Sequence, residues 1–167
     1  MTKPLNKTKI YLDTSVISYL EQTDAPYQMQ ITRDVWEILK SGKYDVYISD
    51  VVVKELSKCS DEQKRRILLS HLEEIDYKIV KVTEEAFSLA ERIVDFGILK
   101  KRSFDDCQHI AAAIIGNCEV IMSWNFKHIV NLDTMKGLKV LTTIEGYKDI
   151  LIYSPEIFQI DKEDEND

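Results

Sequence analysis

Acidic and amide side chains follow three apolar runs that are typical of buried strands. In an open parallel α/β sheet, the carboxyl ends of the strands meet at one edge, where ligands bind. The residues that follow the runs are Asp13 after KIYL, Asp50 and Glu55 after YDVYIS, and Ser123 and Asn125 after EVIM. Two further carboxylates, Asp105 and Asp106, open a later predicted helix whose start faces the same edge. The pattern predicts a cluster of carboxylates at one rim of a sheet.

Such a cluster has a defined chemistry. Two carboxylates about 4 Å apart repel by roughly 4 kcal/mol at an effective dielectric constant near 20, so the cluster needs a compensating cation. Oxygen ligands without cysteine or paired histidine favour Mg²⁺ or Mn²⁺ over zinc. These ions activate water and stabilise in-line displacement at phosphorus. The sequence therefore predicts metal-dependent phosphoryl chemistry.

Each residue also has a purely structural interpretation. Asp13 fits the N-cap of a helix that begins near Ser15. Asp106 with Ser103 matches a capping pattern, and negative side chains favour the first turn of any helix. Asn125 fits a turn. Only their shared position after strands and at helix starts favours a common site.

Other polar residues near the rim carry less specific signals. His109 lies in an Ile- and Ala-rich helix, which favours a buried, hydrogen-bonded histidine over a ligand or general base. The hydroxyl groups of Thr14, Ser15 and Ser123 fit either helix capping or the orientation of a carboxylate. Trp124 ends a buried strand and is expected in the core rather than against a base.

Strands and helices alternate along nearly the whole chain. The predicted strands are Lys9 to Asp13, Tyr44 to Ser49, Tyr77 to Val82, Glu119 to Trp124 and Leu138 to Leu141. The predicted helices are Ser15 to Glu21, Ile31 to Lys40, Val51 to Lys58, Asp61 to Ile75, Glu84 to Phe96 and Phe104 to Asn117. This order predicts an α/β fold, a three-layer α/β/α sandwich with a central, mainly parallel sheet.

Local signals support these boundaries. Helix starts are predicted at Ser60 with Gln63, at Thr83 and at Ser103. Helix ends are predicted at Gly42, Gly97 and Gly116. Residues 1–160 are predicted to form a single domain, in which the apolar segment 146–160 packs on the rest. Residues 161–167 (DKEDEND) are predicted to be an acidic disordered tail.

Composition limits the classes of function. The chain has 167 residues with 22 Lys and Arg against 29 Asp and Glu, a net charge of -7. Nonspecific affinity for nucleic acid comes from cationic side chains, so such a role must depend on local basic residues or bound metal. The start of the chain does not resemble a secretory signal, no run is long enough to span a membrane, and the three cysteines form no metal motif. We expect a cytoplasmic protein with reduced, mostly buried thiols.

Basic residues adjoin the predicted site where a phosphate chain could pass. They are Lys100, Lys101 and Arg102 just before Asp106, and Lys127 after Asn125. Long cationic side chains on turns are often merely solvated, so contact with a nucleic acid is the more specific of two interpretations.

Four motifs together resemble the PIN-domain ribonucleases, which include VapC-type toxins. They are YLDTSVI from Tyr11, VVKEL from Val52, FDDCQHIAAA from Phe104 and SWNFKHI from Ser123. The resemblance runs from about Lys9 to Leu141. It implies a metal-dependent endoribonuclease in which Asp13, Glu55 and Asp106 bind Mg²⁺ or Mn²⁺ and Asn125 completes the catalytic set.

The chain departs from the family pattern at the fourth position, where Asn125 stands in place of a frequent Asp. Its amide can position water or accept a metal contact, but it adds no negative charge. Asp105 and Ser123 are predicted as accessory residues. Asp106 is preferred over Asp105 because it lies three residues before His109.

The resemblance also implies an RNA substrate, an antitoxin protein and a homodimer. Two alternatives remain open. One is a noncatalytic PIN-like module that binds RNA or protein. The other is an aspartyl-phosphate phosphatase with Asp13 as nucleophile, although Ser15 occupies the position where that class has a second Asp.

Overall fold

The computed structural model describes residues 6–159, so the predicted tail at 161–167 lies outside the described residues. The strands are β1 (Lys9–Leu12), β2 (Asp45–Ser49), β3 (Tyr77–Val80), β4 (Val120–Met122) and β5 (Leu151–Tyr153). The helices are α1 (Thr14–Ser18), α2 (Pro26–Lys40), α3 (Asp50–Ser57), α4 (Glu62–Leu72), α5 (Glu84–Asp95), α6 (Phe104–Ile115) and α7 (Leu132–Glu145). Short 3₁₀ turns span Tyr19–Glu21, Lys101–Ser103 and Pro155–Phe158.

The five strands form one parallel sheet in the order β3-β2-β1-β4-β5. Central strand β1 pairs with β2 on one side and β4 on the other, so that Tyr11 lies beside both Tyr47 and Ile121. The chain first builds outward from β1 to β3 and then returns to add β4 and β5. Because crossover connections are right-handed, helices before and after this return cover opposite faces. The predicted three-layer sandwich with a parallel sheet is confirmed.

Burial follows this topology. Ile10, Tyr11 and Leu12 of β1 are fully buried, as expected for a strand covered on both faces, and β4 is buried throughout. The edge strand β5 buries only Ile152 of its three residues. Successive strands are added on one side of β1 up to β3 and on its other side from β4, and in such sheets this switch point forms a crevice at the carboxyl ends of the strands.

The strand predicted at Leu138 to Leu141 is wrong, because this segment lies inside α7. Four buried residues of α7 recur at helical rather than alternating spacing: Thr134, Leu138, Leu141 and Thr142. A four-residue apolar run does not distinguish the two periods. The fifth strand is β5, within the segment 146–160 that the sequence predicted only to pack on the domain.

Several predicted helix ends are displaced. Asp61 rather than Ser60 caps α4, accepting a hydrogen bond from the backbone N–H of Lys64 at 3.1 Å. Thr83 caps α5 as predicted. The side chain of Ser103 makes no capping hydrogen bond to α6. After α6 the left-handed residue is Asn117, with φ of 55°, and not Gly116.

The remaining helix bounds agree to within a few residues, except that α2 begins at Pro26 instead of Ile31. Proline suits the first turn of a helix because its missing N–H would have had no partner there. Cys107 and Cys118 are buried free thiols, as expected. Within residues 6–159, no helix combines the length and apolar character needed to cross a membrane.

Candidate functional site

The first strand places Asp13 at the rim of the sheet, where the residue is only 5% exposed. Asp13 occupies the N-cap position of α1, but its side chain makes no capping hydrogen bond. Its Oδ2 atom instead accepts hydrogen bonds from the hydroxyls of Ser15 at 2.8 Å and Ser123 at 2.7 Å. The capping interpretation is therefore correct for the position of Asp13 but not for its side chain, which is held by side chains from two separate turns.

The turns after β1 and β4 interlock through the same hydroxyls. The backbone N–H of Trp124 donates to Ser15 Oγ at 2.9 Å, and that of Asn125 donates to Ser123 Oγ at 2.9 Å. Ser123 is fully buried. Each serine thus accepts from the backbone and donates to Asp13, which fixes the orientation of the carboxylate.

Asn125 combines a turn role with a contact to Asp106. Its Oδ1 atom accepts from the backbone N–H of His128 at 3.0 Å, while its Nδ2 atom donates to Asp106 Oδ1 at 3.2 Å. The turn interpretation was therefore correct but incomplete. The side-chain amide of Asn125 also orients the carboxylate of Asp106.

Glu55 reaches the site from α3 and meets His109 of α6. His109 Nε2 donates to Glu55 Oε1 and lies 3.5 Å from Asp13 Oδ1. The imidazole is 1% exposed, as the prediction of a buried, hydrogen-bonded histidine requires. The sequence reasoning did not foresee that its partners would be two site carboxylates. The available signal was the spacing of three residues from Asp106, which puts both side chains on one face of a helix.

A buried hydroxyl chain fixes the other edge of the imidazole. Tyr11 Oη lies 2.6 Å from His109 Nδ1 and 2.7 Å from Ser49 Oγ. Burial raises the pKa of Tyr11 well above its usual range, so the phenol keeps its proton. Because Glu55 as a carboxylate can only accept, the Nε2 atom of His109 carries hydrogen in either charge state.

Burial and neighbouring negative charges shift the pKa values of Asp106 and His109. Burial, followed by the charge of Asp13, raises the pKa of Asp106 to about 6, against the opposing effect of His109 and His128. Burial disfavours the protonated form of His109, yet the hydrogen bond to Glu55 and the charges of Asp13 and Asp106 raise its pKa. The raised pKa shifts His109 toward its charged form, in which it offsets part of the negative charge of the cluster.

The four predicted catalytic residues line one groove with a volume of about 580 Å³. Its walls include Asp13, Glu55, Asp106 and Asn125. Asp105 is exposed and does not line this groove, in line with the turn of about 100° between successive helix residues. Ser123 reaches the site only through its hydrogen bonds to Asp13 and Asn125.

The predicted basic residues separate into two groups. Lys127 lines the groove, and together with Lys100 and Arg102 it also lines an adjoining cavity of about 400 Å³. Lys101 faces a different cavity, between α5 and α6, together with Phe87 and Glu91. Trp124 is 4% exposed and donates from Nε1 to Thr32 Oγ1 at 2.8 Å, which confirms its place in the core.

The donor types of the groove are those that a hard divalent cation takes, because three carboxylates and one amide line its walls. Across residues 6–159, no three His, Cys, Asp or Glu side chains are grouped so that they could hold one ion. His109 Nε2 contacts the carboxylates of both Asp13 and Glu55. Asp13, Glu55 and Asp106 are the side chains that could supply ligands.

The chain is similar to known proteins in both sequence and structure. A family model described as PIN domain matches residues 10–127. The structure is similar to a chain in the crystal structure of VapBC2 from Rickettsia felis bound to a DNA fragment from their promoter, with a TM-score of 0.56 and 13% sequence identity. That match covers 88% of this chain and 98% of the other. Among curated proteins there is no match.

Proposed function

The chain belongs to the PIN domain family, and on this premise we propose that it is a metal-dependent endoribonuclease that hydrolyses RNA phosphodiester bonds. The observation that carries the proposal is the shared groove of Asp13, Glu55, Asp106 and Asn125 at the carboxyl edge of a parallel sheet. Bound there, Mg²⁺ or Mn²⁺ would supply positive charge at phosphorus and acidify water.

The protein's own side chains have distinct roles in this proposal. Asp13, Glu55 and Asp106 hold the ion, and Asn125 orients Asp106 through its amide. Ser15 and Ser123 hold Asp13, so that it does not need to reorganise when the ion arrives. These contacts fix the position of the Asp13 carboxylate in the groove.

When no ion is bound, His109 reduces the repulsion between the carboxylates of Glu55 and Asp13. Its Nε2 atom contacts both carboxylates, and Tyr11 restricts rotation of the ring. The imidazole is a positioning residue, because it contacts proposed ligands rather than substrate.

The proposal extends to biological context. We propose that the protein is the toxin of a toxin–antitoxin pair, acting in the cytoplasm as a homodimer whose groove an antitoxin covers. The likeness to a chain of the VapBC2 complex supports this context through fold. Light scattering of the purified chain should give twice the monomer mass, and coexpression with the product of an adjacent small gene should give a stable complex.

Cleavage of a mixed RNA pool tests the enzymatic proposal. The purified protein should cut RNA with Mn²⁺, stop on addition of EDTA, and lose cleavage on Asp13→Asn substitution. Metal-independent cleavage, or a fully active Asp13→Asn protein, would contradict it.

The second candidate is a noncatalytic PIN-like module that binds RNA or protein. Two observations favour it: Asn125 is neutral, and its side-chain oxygen Oδ1 already accepts a hydrogen bond from the backbone N–H of His128. This candidate predicts RNA binding without cleavage at any Mn²⁺ concentration.

A further inference from the structure

The 400 Å³ cavity beside the catalytic groove combines cationic and aromatic side chains. Its walls include Lys100, Arg102, Lys127 and Phe126, and the last two also line the groove. The cavity and the groove are therefore neighbours that share a wall. A ligand that extends out of the groove past Phe126 enters this cavity.

The cations in this cavity are not neutralised by the protein. Within residues 6–159, no carboxylate forms an ion pair with Lys100, Arg102 or Lys127, whereas Arg66 and Lys139, for example, do have acidic partners. Asp133 is the one acidic residue on the cavity wall. In a chain with net charge -7, three cations on one wall make a local site for a polyanion.

Phe126 is presented as a fixed and accessible ring. Its side chain is 51% exposed, and its edge-to-face contact with Trp124 has a centroid distance of 6.1 Å. Trp124 in turn stacks on Tyr19 at 5.6 Å. The three rings form a row along the groove, with Phe126 at the end that reaches the cavity.

The loop that carries Phe126 is held in place by two asparagines. Asn131 Nδ2 donates to the carbonyl oxygens of Phe126 and Lys127, each at 3.1 Å. Asn125 accepts from the backbone N–H of His128 through its side chain and from Val130 through its carbonyl oxygen. Because these hydrogen bonds already order the loop, it would lose little conformational entropy when a ligand binds.

An exposed ring flanked by unpaired cations is the chemistry that binds single-stranded nucleic acid. Bases stack on the ring without regard to sequence, and the cations follow the backbone. A base within a duplex has its faces covered by neighbours and cannot stack in this way.

We infer that this cavity binds the nucleotide next to the scissile phosphate, with its base on Phe126 and its phosphate at Arg102, Lys100 and Lys127. The inference rests on the proposed ribonuclease function and adds that the strand must be single-stranded at this position. Substrate choice then depends on unpaired structure as well as on the acidic groove.

Binding measured in a protein that cannot cut isolates this site from catalysis. The assay uses the Asp13→Asn protein without metal, a fluorescein-labelled mixed-sequence RNA of 12 nucleotides and the same strand annealed into a duplex, with anisotropy read across a series of KCl concentrations. Phe126→Ala should weaken binding of the single strand by about 5- to 150-fold, the range for loss of one stacked base. Phe126→Trp should retain binding.

The cationic residues have a separate readout. Arg102→Ala and Lys127→Ala should each lower the slope of log affinity against log salt by about 0.7, the value for one phosphate contact on a single strand. Phe87→Ala and Lys101→Ala are matched controls, because these residues line the separate cavity between α5 and α6. They should leave affinity and slope unchanged.

Three results would overturn the inference: equal affinity of the Phe126→Ala protein and its parent, equal affinity for single strand and duplex, or tighter binding of an acidic peptide than of RNA. The cleavage assay with Mn²⁺ fails or succeeds independently, since binding is measured without metal. Loss of cleavage with retained, Phe126-dependent binding would overturn only the proposed catalysis.

Discussion

The acidic groove and the basic cavity share Phe126 and Lys127 but are constructed in opposite ways. In the groove, the innermost acidic side chain, Asp13, is short and buried, and it is held by hydroxyls from two turns. In the cavity, Lys100 and Arg102 are exposed at a 3₁₀ turn and make no ion pair within residues 6–159. The two regions meet at one loop, 125–131.

The difference follows from the cost of burying charge. A buried carboxylate needs hydrogen bonds and compensating charge, and the protein provides both from distant parts of the chain. Solvated cations need neither, so an exposed turn is sufficient to present them. Substitutions in the groove should therefore affect stability and activity together, while those in the cavity should affect only binding.

Asp13→Asn should have the largest effect in the groove. Loss of a ligand carboxylate should lower cleavage by about 10³-fold, because a catalytic metal contributes several kcal/mol of charge stabilisation. Initial rates on a labelled RNA with Mn²⁺ measure this. Asp105→Asn is the matched control, since Asp105 is exposed outside the groove, and it should keep full activity. Equal losses in the two variants would contradict the assignment.

His109→Ala should destabilise the fold by about 3 kcal/mol, because it leaves Glu55 and Asp13 without their buried partner. Urea unfolding followed by circular dichroism measures the change. His71 is a more exposed comparison, since it also contacts two glutamates, Glu21 and Glu74, with its side chain 20% exposed. Its replacement by Ala should cost less than about 1 kcal/mol. Similar losses in the free energy of unfolding for the two variants would contradict a dependence on burial of the histidine.

Asp106→Asn should stabilise the metal-free protein while reducing cleavage. The pKa of Asp106 is raised to about 6 in the fold, so its ionised form opposes folding above that pH. The penalty grows as pH rises from the unfolded pKa through about 6 and is absent in more acidic solution. Because the side chain is partly exposed, the gain at pH 8 should be about 1 kcal/mol, falling to near zero at pH 4. A gain that did not depend on pH would contradict this origin.

Ser123→Ala should have the smallest effect of the four. Asp13 keeps its hydrogen bond from Ser15, so the expected loss is about 1 kcal/mol, or roughly fivefold in cleavage rate. The Mn²⁺ concentration at half-maximal rate should rise as the carboxylate becomes less ordered. The double variant with Ser15→Ala should lose more than the sum of the two single variants. Strict additivity would show that the hydroxyls act independently.

The sequence predicted the fold where elements were long or flanked by clear signals. Four of five strands were located, three of them from apolar runs that end at polar residues of the rim. Leu138 to Leu141 was assigned to the wrong class because four residues fit either period. Strand β5 was missed because its three apolar residues are too few to separate a strand from the rest of an apolar segment.

The residues of the groove were predictable from their position after strands, but their contacts were not. The hydrogen bond between His109 and Glu55 joins residues 54 positions apart, and spacing along the chain gives no distance of that kind. The separation of Lys101 from Lys100 and Arg102 depends on side-chain direction in a 3₁₀ turn. Such directions are set by packing around the turn rather than by the run of basic residues itself.

The pairing of the first strand with the fourth has a consequence during synthesis on the ribosome. Asp13 emerges 110 residues before Ser123, its hydrogen-bonding partner. At translation rates of about 5 to 20 residues per second, this delay lasts roughly 5 to 20 s. The site of the nascent chain therefore stays unassembled until at least 110 further residues have followed Asp13.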